Sequence, residues 1–559
     1  MTDATTDIFV LSDQATDLAA AADPIHATMA GVSGHDHEWP DLSPAGYEQR
    51  ADVWADIARR AHRCEIRNDR ERLAQHVLLD ECNLVATLTD AGEHLRNLNN
   101  IASPHQDLRM VFGSNDTQSR EGWDAVLRRL ESLPTALESY RQSLEEGRTR
   151  GLAVARRQVE AALSQGRLAT GPDSSFDQLL AKLDAWGEAS ESFTAAVTTA
   201  VEGAKAAFNG FNRYLEATYA PHAVEADGVG RERYAMLAGL YLGTSLDLEE
   251  TYRWGWNEVE RLWAELQAVA AEIDSSKSSA DVFDMLMTDP AYAMTSTDEF
   301  IALMKDRQLQ ALEQLDGSHF DVPEPIRTIN VQVEPAGGAS AASYVGPSED
   351  FTRPGSIWYP IEGKTFLPLF QEITTAYHEG FPGHHLQVGV QICQGDRLSR
   401  FHRTWVWYPG SGEGWALYAE RFMDELGYLE RPEYRAGLLT SQLFRSCRVA
   451  IDIGAHLDLP IPDDVSFHPG ESWTFDLAYE LLRTRALLSH DEAESEVIRY
   501  LGWPGQAISY KVGEQAILDL REEHGGRPDF DLKTFHADLL AVGSVGLDVL
   551  RSHMGSAPG

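Results

Sequence analysis

The chain has 559 residues, 43% of them hydrophobic, enough for two or more domains or for one large helical body. Its 87 acidic against 47 basic side chains leave a formal net charge of −40, so nucleic acid and anionic membrane are poor partners, since both are bound through Lys and Arg. The start MTDATTDIFVL has no basic stretch ahead of an apolar one, no apolar run approaches bilayer length, and Cys64, Cys82, Cys393 and Cys447 lack metal-ligand spacing, so a reduced, cytoplasmic protein is expected.

Helical periodicity dominates residues 1–320. Pro134 reads as lying near the first turn of an amphipathic helix that carries Leu137, Tyr140 and Leu144, and Gly171-Pro172-Asp173-Ser174-Ser175 reads as a loop. Leu248, Tyr252, Val259, Leu262, Leu266, Val269 and Ile273 recur at helical spacing behind a capping-box-like Asp247 and Glu250. Strand signals follow. Ile329, Val331 and Val333 alternate with polar residues, and Ala341 to Val345 and Ser356 to Tyr359 read as further short strands between turn-rich segments. This order gives a helical N-terminal region, 1–320, and a catalytic region, 321–559, expected to form one continuous body. An edge strand placed beside a metal can hold an extended peptide by strand addition.

After the strands comes His378-Glu379-Gly380-Phe381-Pro382-Gly383-His384-His385. A plain zinc-hydrolase helix carries His-Glu-x-x-His, which sets two ligands on one face with a glutamate beside the first to activate water. Here Pro382 stands where the second histidine should be. At about 100° per residue, positions six apart on an unbroken helix diverge, and positions seven apart stand about 10 Å apart along the axis. Two nitrogens each about 2.1 Å from zinc can be at most about 4 Å apart, so the helix must break or bulge. Pro382 lacks an N–H and its ring clashes with the carbonyl of His378, and Gly383 permits a tight bend. With two residues looped out, His384 takes the place of the missing ligand and His385 points elsewhere, although spacing alone does not choose between them. An acid from a neighbouring helix should complete the set. Glu413 and Glu420, seven apart after the Gly-rich entry Pro409-Gly410-Ser411-Gly412, share a face, with Glu413 as the expected ligand and Glu420 orienting one from behind.

HEGFPGHHLQ, SGEGWALYAE and PGQAISYKVG resemble the signature blocks of the bacterial family known as domain of unknown function 885, which is grouped with the gluzincin metallopeptidases. GHDHEWPDLSPAGY resembles that family's opening, so the resemblance spans nearly the whole chain. It implies a mostly helical fold, a zinc-dependent peptidase-like site and no settled substrate. The spacing of EGWALYAE is also similar to the third-ligand helix of thimet-oligopeptidase-like enzymes, where the first of two acids binds zinc, which implies Glu413 over Glu420. Arg448, Asp452 and His456 form a polar stripe at steps of four among Val449, Ile451 and Ile453, facing either water or a polar cavity. The resemblance implies that it belongs to the active site.

A hydrolytic zinc site needs a donor for the oxyanion, and Tyr510, within the late block Gly505 to Lys511, is the candidate. Lys511, Arg353 and Arg448 are candidate anchors for a substrate carboxylate. The expected protein is mainly α, a large helical zincin-like metallopeptidase body with a small β-sheet preceding the metal-binding helix. It holds one zinc ion through His378, His384 and Glu413 and cleaves short peptides, with Glu379 as general base. Two other readings remain open: a non-catalytic helical binding scaffold, and a metal-dependent amidohydrolase acting on a non-peptide amide.

Overall fold

The computed structural model describes residues 7–172, 174–334 and 341–555. The first six residues of the opening segment and Asp173 of the expected loop lie outside them. Helices make nearly all the regular structure, and small sheets supply the rest. The chain divides into two compact units, Met1–Asp227 with Asp396–Trp405, and Gly228–Gly395 with Val406–Gly559. The division therefore falls well before the expected boundary at 320. Helices Arg231–Leu242 and Leu248–Ile273 read like their N-terminal neighbours, but their partners are C-terminal. The Tyr234 hydroxyl donates to Asp452 at 2.9 Å and that of Tyr252 to the Pro460 carbonyl at 3.1 Å. Periodicity says that a helix buries one face without naming what covers it.

In the first unit, helix Arg120–Thr149 begins where the Ser119 side chain accepts from the Gly122 N–H at 3.1 Å. Pro134 thus lies in the middle of this helix, not in its first turn. The apolar stripe runs through both sides of the proline: Trp123, Leu130, Leu133, Leu137, Tyr140 and Leu144 are all buried in a cluster shared with helix Glu191–Tyr214. Each such side chain contributes about 1.5–3 kcal/mol on burial. Together they outweigh the roughly 3 kcal/mol that an interior proline costs.

The second unit carries the sheet expected before the histidines. Strand Ser356–Tyr359 lies in the centre, parallel to Asn330–Val333 with Val331 opposite Ile357, and antiparallel to Ser343–Val345 with Tyr344 opposite Ile357. Ala341 and Ala342 fall outside the strand expected of them. All four residues of Asn330–Val333 are half-buried, so the apolar alternation does not sort them into one wet and one dry face. A second pairing, Ala293–Met294 with Leu367–Pro368, is too short to leave any alternation in the sequence.

Two long helices then frame the centre of the unit. Pro409–Glu425 crosses Ser509–Gly525 so closely that a Cβ on Gly414 would lie 2.4 Å from the Gly513 backbone. Only glycine lets the backbones approach this far. The crossing fixes the start of one helix, with Glu413, against the start of the other, with Tyr510.

Candidate metal centre

The histidine helix is broken as its sequence requires. Glu372–Glu379 ends at Gly380, and a new helix, His384–Cys393, starts after Phe381-Pro382-Gly383. A Cβ at Gly383 would lie 2.0 Å from the His378 carbonyl oxygen, so no other residue fits the inside of the bend. The break exposes backbone groups that a continuous helix would have paired. Gln308, from helix Thr297–Leu315, meets one of them, its oxygen accepting from the Phe381 N–H at 2.6 Å; its amide donates to the Ala376 carbonyl at 2.7 Å, beside the bond which that carbonyl still takes from the Gly380 N–H at 3.0 Å. Trp415 meets a second, its indole N–H donating to the Pro382 carbonyl at 2.9 Å.

The result gathers His378, His384 and Glu413. Nε2 of His378 and Nε2 of His384 each stand 3.4 Å from the same Glu413 oxygen, and one ligand atom from each of the three lies within 4.8 Å of the others. Two donors each about 2.1 Å from a tetrahedral zinc are about 3.4 Å apart, so the separations suit one ion. Both histidines are buried, while Glu413 is 15% exposed. Behind His378, Nδ1 donates to Glu420 at 2.7 Å, which turns the lone pair of Nε2 toward Glu413. Glu420 also accepts from Thr374 at 2.7 Å and Ser441 at 3.0 Å.

Electrostatics favours a cation here. Burial works against a charged His378, yet Glu413 and Glu420 outweigh it and push its pKa up to about 9. Burial likewise opposes ionisation of Glu413, but His378 and His384 hold its carboxyl well below the usual range. For Glu420 burial is again outweighed, here by Arg445 and His378, and its pKa is lowered. Glu379, the last residue of the first histidine helix, is shifted the other way: burial raises its pKa more than the two imidazoles lower it. A carboxyl with a raised pKa beside a cation site suits proton transfer.

His385 is turned away. It is fully buried, donates from Nε2 to the Ile326 carbonyl at 2.7 Å and accepts at Nδ1 from the Tyr344 hydroxyl at 3.1 Å. Burial lowers its pKa to about 4, so it is neutral and committed at both nitrogens. Tyr510 is partly exposed, with Arg448 Cζ 4.5 Å and Arg445 Cζ 5.8 Å from its ring centre. Arg353 is exposed on the loop between two strands, its guanidinium against the Gly346 carbonyl.

Other expected residues lie elsewhere. Lys511 is buried and paired with Glu514 at 2.6 Å and Glu258 at 3.4 Å, so it is no free anchor for a substrate. Asp452 and His456 form a separate buried knot. Asp452 accepts from the Tyr234 hydroxyl and from the Gly505 N–H at 3.0 Å, and His456 donates to the Tyr500 carbonyl at 2.9 Å. The stripe divides because Arg448 turns to Glu496 and the rings of Phe444 and Tyr510, while the next two turns of the helix enter the interior. Gln308, Thr374, Ser441, Arg445 and Trp407 carry no motif of their own. Trp407 is 44% exposed with its ring centre 5.6 Å from that of His384, and an exposed tryptophan just before the Gly-rich helix entry was the signal available.

The comparisons agree with this architecture. The model of a bacterial protein family of unknown function, DUF885, matches residues 24–554, and the chain belongs to that family. The putative lipoprotein from Colwellia psychrerythraea has a structure similar to this one at a TM-score of 0.86 and 21% identity, covering 98% of each chain. A putative lipoprotein of unknown function from Shewanella oneidensis matches at a TM-score of 0.74 and 19% identity, covering 98% of this chain and 100% of its own. At these identities the likeness is one of fold. No curated protein matches the sequence. No helix among the described residues is long and apolar enough to cross a membrane.

Proposed function

We propose that this chain is a zinc-dependent hydrolase of the gluzincin type that cleaves short peptides. The observation that carries the reading is the shared Glu413 oxygen, 3.4 Å from a nitrogen of each of two histidines that the broken helix brings together. His378, His384 and Glu413 would hold the ion, and two histidines with one carboxylate is a donor set that leaves a catalytic zinc an open position. Zinc in such a site supplies Lewis-acid polarisation of a carbonyl and makes water more acidic.

The chain's own residues supply the rest. Glu379 takes the proton from the attacking water and passes it to the leaving amine, a role that its raised pKa suits. Tyr510 donates to the oxyanion that forms on the scissile carbonyl. Glu420 fixes the tautomer and tilt of His378 through the bond to Nδ1. The four cysteines are free, which favours a reducing compartment, the cytoplasm; the descriptions of the Colwellia and Shewanella proteins favour the cell envelope instead, and fractionation of the host cell decides between the two.

The test is metal analysis of the purified chain followed by incubation with a mixed peptide library. Stoichiometric zinc with new peptide termini is the expected result. Zinc-loaded protein that cleaves no peptide but hydrolyses other amides would move the reading to a non-peptide amidohydrolase, and a chain that binds no metal would leave a helical binding scaffold.

A further inference from the structure

Positive charge collects at one place in the second unit of this acidic chain. Helix Pro432–Leu457 carries Arg445 and Arg448, and helix His490–Gly502 adds Arg499. Arg448 is 4% exposed; its Nη2 meets Glu496 at 3.0 Å and its Nε donates to the Tyr500 hydroxyl at 3.2 Å, but Nη1 has no hydrogen-bond partner among the described residues. Arg499 shares Glu496 at 3.2 Å and leaves its Nε without a partner. Arg445 bonds Ser441 and comes only to 3.9 Å of Glu420, a carboxylate already occupied by His378, Thr374 and Ser441; its Nε too is unpartnered. Three guanidinium groups thus have only Glu496 and Glu420 as carboxylates within 4 Å, and Glu420 is held by His378 as well.

Buried guanidinium N–H groups are normally all bonded, so unpartnered ones are donors lacking an acceptor. The rings hold the group in place: Arg448 Cζ is 4.1 Å from the Phe444 ring centre and 4.5 Å from that of Tyr510. Arg445 and Tyr510 are partly exposed, so a ligand can reach them, and Arg445 stands 3.9 Å from Glu420, the carboxylate that holds His378. A planar fork beside a hydrolytic centre matches a carboxylate. We propose that Arg445, backed by Arg448, binds a carboxylate of the substrate next to the metal centre, so that this site takes peptides bearing a free C-terminal or side-chain carboxylate. The proposal rests on the hydrolase reading of the same site.

Binding to the Glu379→Gln protein tests it apart from turnover. The probes are acetyl-trialanine, its C-terminal amide, and the amide of acetyl-Ala-Asp-Ala, titrated calorimetrically into zinc-supplemented protein whose metal content is measured alongside. The free acid should bind at least tenfold more tightly than its amide if the C-terminus is the anchor, and the aspartyl amide should do so if the side chain is. Adding Arg445→Met should bring the ratio between anionic and neutral forms to about one, and Arg445→Lys should restore part of it. Equal affinity of all three peptides, including no measurable binding of any, overturns the proposal. So does a ratio that survives Arg445→Met. Failure of the hydrolase reading shows separately, as wild-type protein that holds no zinc or turns over no peptide.

Discussion

His378 is held at both ends of its ring, by Glu420 at Nδ1 and toward Glu413 at Nε2, and its neighbours can be told apart by which end they touch. Replacing His378, His384 or Glu413 by Ala should strip most bound zinc on metal analysis. Glu420→Gln should keep the ion but weaken it by about 10–100-fold, the usual cost of losing an outer partner. His385→Ala should leave zinc in place and lower the melting temperature, because it empties a buried position bonded on both sides. Glu379→Gln should hold zinc and lose roughly a hundredfold or more in turnover. Tyr510→Phe should lower kcat and kcat/KM together with KM nearly unchanged, by about 3 kcal/mol or a hundredfold; wild-type kcat would return Tyr510 to packing between Arg445 and Arg448. The placement of His378, His384, Glu413 and Glu420 was legible because metal geometry restricts spacing severely. Lys511 was misread because a lysine next to an expected catalytic tyrosine looks the same in sequence whether or not Glu514 and Glu258 neutralise it.

At the level of elements, the informative object is the interrupted helix. Pro382 and Gly383 announced the break, but nothing in the local sequence announced what holds it open, since Gln308 lies 73 residues before Phe381 and Trp415 lies 33 after Pro382. Gln308→Leu keeps the volume and removes both bonds; the Ala376 carbonyl keeps the Gly380 N–H, but the Phe381 N–H is left buried without a partner at about 1–3 kcal/mol. Chemical denaturation should show that loss, and zinc affinity should fall with it, because His384 depends on the bend to face His378. Pro134 shows the opposite limit. A proline that reads as a helix start sits in mid-helix because tertiary burial there outweighs the local penalty.

For the molecule as a whole, the mainly helical class and the small sheet before the histidines were readable, while the division into units was not, since helix periodicity does not identify partners. The buried knot of Asp452 should be visible in the pH dependence of stability. Burial raises its pKa to about 8, more than the Tyr234 and Gly505 bonds lower it, from about 4 in an unfolded chain. Between those values the folded chain keeps a proton that the unfolded chain has released, so this group's contribution falls as pH rises through that window and is flat on either side. Asp452→Asn should flatten that part of the profile, and its melting temperature relative to wild type should be higher at pH 9 than at pH 4. A parallel pair of profiles would show that the carboxyl ionises freely in the folded protein.

The segment Asp396–Trp405 belongs to the first unit although it lies in the chain between His384 and Glu413. Within that unit, Phe401 packs on Trp54 with ring centres 5.6 Å apart and Trp405 on His26 at 4.2 Å. The polypeptide therefore leaves one compact body and re-enters it in the interval that separates His384 from Glu413. Gene dissection at the seam near residue 227 cannot yield two intact halves: an N-terminal fragment lacks two of its own aromatic contacts, and a C-terminal fragment carries ten residues that belong elsewhere. Any attempt to express the second unit alone has to replace that excursion with a short engineered bridge, and the bridge will set the register in which Glu413 meets His378 and His384.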